Sequence, residues 1–540
     1  MDFPNKLFLS ARINKDNKTI QSTIQTCTCL FVYAYCDFEL KVFFVDDQNN
    51  YDCDISFDVL ESMNYECVTK DQSEYQELSL ALPAIETDNK RFLIAGVSGV
   101  LRWAIKSHIE KFPNHFSKSL LGFRGGCLAA CAESSVWTNF CEVQLPNSVC
   151  EMKLTMNKEE ESIVIPPSLV LLEAHLKSSD DVSKTLENLV ITEKSEEFSL
   201  HHNYLEGIDL TLADMIAFPC VYYLLTNLPC AVMTHLEDVR KWLERMFSNI
   251  FVKKAATKCG FLLETFFLFK EDVTRKIIVP VVDKDSLYKR DPAHTKMRCK
   301  HKSPIEILTH LQLLEWEKLP PDLHPATGDL PQERIERKCQ QIESMVTAVL
   351  KVAVDGQIIV EFCAGGGHVG LLLAYFLPSC KVILIENKES SIFRAKKRVE
   401  SLNLKNVFFY QCNLDYFKGS FDLGVSLHAC GVATDLVIQQ CIKQRASFVC
   451  CPCCYGGVQN THLLRYPLSK RFCSTSLAYE KYLFLLIVLI EQKLIHLLLN
   501  RVNYVWDSLI QIEHFLPKNI IMKSYLQLYN LSHVHQSTIF

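Results

Sequence analysis

Glu361, the glycines Gly365, Gly366 and Gly367, and Glu386 are the residues whose type and spacing most directly specify chemistry. They begin in Ile358-Ile359-Val360-Glu361-Phe362-Cys363-Ala364-Gly365-Gly366-Gly367-His368-Val369-Gly370, an apolar run ending in an acid and a glycine cluster before Leu371-Leu372-Leu373-Ala374. That is the pattern of a buried parallel strand turning sharply into a helix, with glycines where a ligand must approach the backbone. A second apolar run, Val382-Ile383-Leu384-Ile385, ends in Glu386, 25 positions after Glu361. This is close to the offset of roughly 20 residues at which a strand-end carboxylate accepts hydrogen bonds from both ribose hydroxyls. The spacing predicts an adenosine cofactor.

Two cofactor classes use such a crevice. A dinucleotide site carries G-x-G-x-x-G with a pyrophosphate over the helix N-terminus. Here an acid directly precedes the turn, which would repel a diphosphate and suits the cationic methionine end of S-adenosylmethionine; the methyl donor is the favoured reading. Asn413, in Gln411-Cys412-Asn413-Leu414-Asp415, is placed to hydrogen-bond the adenine amino group with Cys412 packing on the ring. Asp415 competes for that role, and a turn cap is the plainer alternative. His428 follows a predicted strand, where a neutral imidazole can remove a proton from a hydroxyl or amine nucleophile, a step worth roughly 10²- to 10⁴-fold. A hydrogen-bonded structural histidine is the competing reading. Tyr455 can stack on a planar substrate. Cys451, Cys453 and Cys454 could face His428 and Cys430, but Cys-x₂-Cys without a second spaced pair is a weak metal signature, and no metal is expected.

These residues need elements to hold them. Asn406 to Gln411, Phe421 to Leu427 and Ala446 to Cys451 read as the third, fourth and fifth strands, with helices at Ser390 to Leu402 and Thr434 to Lys443. The alternation predicts an α/β, Rossmann-like doubly wound sheet whose ligand crevice lies at the strand C-termini. Upstream, Trp316 to Asp329, with Pro320, Pro321, Pro325 and Gly328, cannot be a regular helix and reads as an extended strap before a helix over Pro331 to Val352. The basic run of Lys289, Arg290, Lys296, Arg298, Lys300 and Lys302, with His294 and His301, reads as a solvated linker or, alternatively, as a salt-sensitive RNA contact.

Glu-Phe-Cys-Ala-Gly-Gly-Gly-His-Val-Gly, Leu-Ile-Glu-Asn-Lys-Glu, Leu-His-Ala-Cys-Gly-Val-Ala-Thr-Asp and Cys-Pro-Cys-Cys-Tyr-Gly together resemble the methyltransferase-like half of the glutathione S-transferase C-terminal domain-containing protein family. The resemblance implies a class I S-adenosylmethionine-dependent methyltransferase domain over 331–477, with the helix at Pro331 to Val352 covering the cofactor side. His428 to Asp435 is also similar to a motif of tRNA 2′-O-methyltransferases, which implies an RNA acceptor. Those enzymes continue with Cys-Cys-His-His, where this chain has Cys450-Cys451-Pro452-Cys453-Cys454-Tyr455. Pro452 to Tyr455 is distantly similar to the Pro-Pro-Tyr turn of amino-methyltransferases. After Leu477 the resemblance ends: 478–540 reads as a divergent tail, with the sheet expected to be truncated there and to expose an edge.

The first half carries other markers. Leu82-Pro83-Ala84-Ile85-Glu86, followed by Arg91-Phe92-Leu93-Ile94-Ala95-Gly96-Val97-Ser98, is similar to glutathione-transferase-like proteins. The resemblance implies a cis proline beside a thiol site, a serine and helix for the peptide's carboxylate, and a degenerate thioredoxin-like α/β segment over 1–115. Thr211 and Asp214 have capping-box spacing ahead of the apolar Met215 to Leu225. Helical pieces at Cys127 to Glu142, Leu169 to Lys177, Asp214 to Thr226 and Leu236 to Phe247 predict an all-α domain over 116–270, like the transferase C-terminal domain. Its polar stretch 177–197 cannot bury enough apolar area to order itself and reads as a flexible loop. Residues 271–330 read as a linker. Tyr33, Tyr35 and Cys36, near Leu30-Phe31-Val32, fit a structural hairpin better than a thiolate-holding site.

Composition bounds these readings. A length of 540 residues allows about three domains, and 48% apolar residues suffice for full cores. A net charge of −5 excludes a global basic field, so any RNA contact is local. The 24 cysteines are diluted along the chain, and Met1-Asp2-Phe3-Pro4-Asn5-Lys6 lacks a signal-peptide core, so a reducing, cytoplasmic setting is expected. The apolar Tyr482 to Ile490 and Leu494 to Leu499 are separated by Glu491, Gln492 and Lys493, and neither reaches the roughly 20 residues a bilayer requires. The expected function is a methyltransferase of unknown acceptor, RNA or protein, carrying a noncatalytic transferase-like domain that docks a protein partner or orients a substrate or, alternatively, only supports the fold. A non-enzymatic scaffold is the alternative, and a glutathione transferase the third reading.

Overall fold

The computed structural model describes residues 5–48, 51–69, 72, 75, 78–87, 91–130, 132, 135–155, 162–177, 203–262, 276–287, 314–327, 332–451, 460–461 and 463–468. The polar stretch after Lys177, the basic run 289–302, Cys453, Cys454, Tyr455 and the tail 478–540 lie outside the described residues. The chain divides into two units, Met1–Lys289 with Tyr416–Lys418, and the remainder.

In the first unit, β1 (Lys6–Asn14) is central. It pairs antiparallel with β2 (Thr19–Ser22), parallel with β3 (Lys41–Val45) and antiparallel with β6 (Ala84–Thr87). β4 (Cys53–Ser56) joins β2, β5 (Asn64–Val68) joins β3, and β7 (Phe92–Ala95) joins β6. The β1–β3 crossover is α1 (Ile24–Cys36), the Leu82-Pro83 bond is cis, and α2 (Val97–Lys111) follows β7. This is the expected thioredoxin-like segment, with one correction. Leu30 to Val32 is helix rather than hairpin: α1 is buried on nearly every side, between β1 and two helices of its own unit, so its sequence shows no two-faced period.

The helical part comprises α3 (Leu145–Thr155), α4 (167–177), α5 (Leu212–Thr226), α6 (Glu237–Ser248) and α7 (Ile250–Cys259). Helix was expected from Cys127, but it begins at Val136, where the Ser135 hydroxyl accepts the Thr138 N–H at 3.1 Å. A π-helical stretch, Phe140–Gln144, then leads into α3. Asp214 sits where the capping-box spacing put it, fully buried. Its Oδ2 accepts the Thr211 N–H at 3.0 Å, and its Oδ1 accepts the Leu205 N–H at 2.8 Å and the Trp242 indole N–H at 2.9 Å. Lys276–Ile278 is not merely connecting chain, because this β9 pairs in parallel with β8 (Ser162–Val164).

The second unit is an open parallel sheet in the order β14-β13-β10-β11-β12, formed by β10 (Ile358–Phe362), β11 (Lys381–Ile385), β12 (Val407–Gln411), β13 (Leu423–Ser426) and β14 (Ser447–Cys450). The connecting helices are α9 (His368–Phe376), α10 (Glu389–Ser401) and α11 (Val432–Gln444), and α8 (Gln332–Leu350) packs against α9 and β14. The α/β reading therefore holds. Strand order reverses between β10 and β13, and in such sheets ligands bind beyond the strand C-termini at that switch point. The strap is three short 3₁₀ turns, Trp316–Lys318, Pro321–Leu323 and Pro325–Thr327. Among the described residues, no helix is long and apolar enough to cross a membrane.

Candidate functional site

The turn after β10 is built from left-handed residues. Cys363, Gly365 and Gly367 have φ of 54°, 57° and 73°, a conformation costly for a side-chain-bearing residue such as Cys363. The turn is closed by the Gly367 N–H on the Ala364 carbonyl at 2.9 Å and tied to β11 by the Ala364 N–H on the Ile385 carbonyl at 3.0 Å. The three glycines do different work. A Cβ on Gly365 would meet open space, so this face is free for a ligand; one on Gly366 would lie 3.5 Å from the His368 ring. One on Gly367 would press on Leu384 Cδ1 at 3.0 Å and on Ala395, so its smallness serves helix–strand packing. Gly370, which the motif reading did not single out, is the most constrained: a Cβ there would collide with Leu384 and lie 2.6 Å from Glu361 Oε2. Its signal was present as the last glycine of the motif, in the first turn of α9, the position that permits close helix–strand approach.

The two acids divide as well. Glu386, at the end of β11, accepts the Gly365 N–H at 2.7 Å through Oε2 and the Lys388 N–H at 2.8 Å through Oε1. It therefore stands beside the open face of the turn with lone pairs left for hydroxyl donors. Glu361 is 3% exposed, lies in register with Leu384 and Val425 on the flanking strands, and accepts the Gly370 N–H at 2.8 Å. Burial pushes its pKa up to about 8 against the opposing pull of that hydrogen bond and of Lys338. Asn413, just past β12, accepts from the Asn387 amide at 3.3 Å, which bridges the ends of β11 and β12.

His428 lies two residues past β13 and is exposed as a residue, with its imidazole partly desolvated. Partial desolvation by the crevice wall, then the charges of Lys338 and Arg337, lower its pKa, so the imidazole is neutral at neutral pH. The following turn is shaped by the Thr434 hydroxyl on the Ala429 carbonyl and by the Tyr466 hydroxyl on Asp435. Lys338 and Arg337, on α8, are site residues that the sequence reading missed, because the phase of a covering helix over a sheet is a tertiary property.

His368 is held neutral more firmly. Burial, then the charges of Arg398 and Lys338, lower its pKa to about 3. Among the described residues, no group of three or more His, Cys, Asp or Glu is arranged to hold a metal ion.

In the first unit, the uncapped start of α2 receives the chain's own carboxylate. The Ser98 N–H donates to Glu142 Oε1 at 2.6 Å, both residues are buried, and Ser98 Oγ has no partner among the described residues. Cys36 is buried, and desolvation raises its pKa well above that of a free thiol. The Tyr33 hydroxyl donates to the Leu40 carbonyl at 3.1 Å, and Tyr35 packs edge-on against Phe116. None of the three is arranged as an activated thiolate or its partner.

Residues 334–461 match a family described as a methyltransferase domain. The chain is 37% identical over 438 residues to the glutathione S-transferase C-terminal domain-containing protein homolog of Drosophila melanogaster, covering 73% of this chain and 72% of the fly protein. It is 33% identical over 550 residues to the glutathione S-transferase C-terminal domain-containing protein of Mus musculus, covering 86% of each.

Proposed function

Because this chain belongs to the glutathione S-transferase C-terminal domain-containing protein family and carries a methyltransferase domain, we propose that its second unit binds S-adenosylmethionine beyond β10 and β11 and transfers its methyl group. The observation that carries this reading is Glu386 bonded to the Gly365 N–H beyond the C-terminal ends of β11 and β10, beside the one glycine of the turn whose missing side chain opens on free space.

The bound donor would supply an electrophilic methyl on a cationic sulfur. Glu386 would accept from the ribose hydroxyls, Asn413 would meet the adenine edge, and Glu361 would lie beneath the turn as counter-charge to the methionine end. Orientation of acceptor and donor supplies the largest share of the rate, roughly 7 to 11 kcal/mol when reacting atoms are held near attack distance. His428, neutral and partly desolvated, takes the proton that the nucleophile must lose. Similarity of His428 to Asp435 to the tRNA 2′-O-methyltransferase motif supports a ribose hydroxyl of RNA as acceptor. Arg337 and Lys338, on the covering helix, offer local positive charge toward a phosphate backbone that the net charge of −5 does not supply. The first unit is then a noncatalytic binding domain, consistent with Glu142 at the start of α2.

The test combines calorimetric titration of the full chain with S-adenosylhomocysteine and transfer of tritiated methyl to fractionated cell RNA and protein. Binding with label in RNA that Glu386→Ala abolishes is the expected result. Binding without label in any fraction would leave a cofactor-holding scaffold, and no binding would remove the cofactor assignment altogether.

A further inference from the structure

Among the described residues Glu361 is a buried carboxyl with a single hydrogen bond, and on the functional reading above it lies where the donor's cationic end would come. It is 3% exposed, and the bond comes from the Gly370 N–H in the first turn of α9 at 2.8 Å. One main-chain donor does not replace the water a carboxylate loses on burial, and this desolvation raises the Glu361 pKa to about 8, which favours the protonated acid. A protonated acid offers no counter-charge to a sulfonium.

Among the described residues, the surrounding charges are few. Lys338 faces it from α8 and Glu386 from the end of β11. His368, at the start of α9, and His428, beyond β13, are both shifted downward, so neither changes charge near neutrality. Glu361 is the member of this set that a cation can convert.

Resting on the functional reading above, we propose that donor binding ionises Glu361 and expels its proton to solvent, making methyl-donor capture a proton-linked step. The balance is one protonated carboxyl and one cationic donor going to a carboxylate–cation pair and one released proton. Donor affinity then rises with pH, by up to about tenfold per unit, and levels off once the free acid is already ionised. An acidified compartment would empty the site, and an alkaline shift would fill it.

The experiment is calorimetric titration of the full chain with S-adenosylmethionine at about pH 7 in phosphate and in Tris, whose ionisation enthalpies differ. The buffer dependence of the heat counts protons released. About one proton is expected for the wild type and close to none for Glu361→Gln, which also subtracts any proton exchanged by the donor's own amine. Wild-type binding with no buffer dependence, or a Glu361→Gln variant that releases the same proton, overturns the proposal. Should the variant fail to fold, as read by circular dichroism, the wild-type dissociation constant between about pH 6.5 and 8.5 decides: a flat profile overturns the linkage. Absence of donor binding in either buffer sinks the functional reading itself, and the linkage with it.

Discussion

Arg398 donates to His368 Nδ1 at 2.9 Å, and the same guanidinium reaches the Gly366 carbonyl at 3.2 Å, the Asp322 carbonyl at 2.8 Å and the His324 carbonyl at 3.3 Å. A side chain of α10 thus fastens the strap to the glycine turn and fixes which nitrogen of His368 carries the proton: Nδ1 accepts, so Nε2 is protonated.

Replacing this clamp should loosen the turn. Arg398→Ala leaves several half-buried carbonyls without donors, each costing about 1–3 kcal/mol where water cannot reach. We expect S-adenosylhomocysteine binding to weaken by about tenfold or more and the strap to become cleavable in limited proteolysis. Arg398→Lys, lacking the fork geometry, should rescue little. Unchanged affinity with a protected strap would refute the clamp.

His368 gives the second unit a pH signature. Its folded pKa of about 3 lies below the ordinary value of 6.5, so the unfolded chain binds a proton that the folded one refuses. The stability this residue contributes is complete above about pH 6.5 and is lost as pH falls toward 3. Denaturant midpoints between about pH 7 and 5 should fall, and His368→Asn should flatten that slope; an unaltered slope would show that other groups carry it.

Asp214 acts with the opposite sign. Burial raises its pKa to about 6 from an ordinary 3.8, so the folded state holds the proton more tightly and this contribution is lost as pH rises through about 4 to 6. The carboxylate still accepts three N–H groups, and Asp214→Asn turns an amide N–H₂ toward at least one of them. We expect destabilisation of about 1–3 kcal/mol in urea unfolding, and about 1 kcal/mol for Thr211→Ala. Equal stability of Asp214→Asn and wild type would contradict the capping assignment.

Two glycines should part company. Gly370→Ala forces a methyl into Leu384 and Glu361, and we expect loss of about 2 kcal/mol or more of stability. Gly365→Ala meets no atom within 4 Å and bears mainly the strain of a left-handed alanine, roughly 1 kcal/mol, so it should fold yet bind S-adenosylhomocysteine more weakly. Binding by Gly365→Ala at wild-type strength would mean the open face of the turn is not where the ligand approaches.

The second unit was largely legible because parallel strands are apolar on both faces and each ends in its own punctuation: Glu361 before glycines, Glu386 before a charged helix start. What the strand pattern could not give was direction. Glu361 and Glu386 read alike in sequence, yet one is buried against α9 and the other bonds the open turn. Arg337, Lys338 and Arg398 carried no signal of their own in the sequence, since nothing local says which side of a helix a sheet will occupy. In the first unit α1 was lost for a related reason: Ile24 to Cys36 is buried almost all round, its threonines Thr26 and Thr28 included, and a helix with no wet face has no 3.6-residue period to detect.

The bond between Ser98 and Glu142 turns the head of α2 into a socket with a built-in plug. Any acid arriving from solution competes with a tenant tethered to the same polypeptide and present at high effective concentration. Ligand screens against this unit should therefore look to its outer surface, and affinity for immobilised peptides bearing free acids should emerge only when Glu142 is removed.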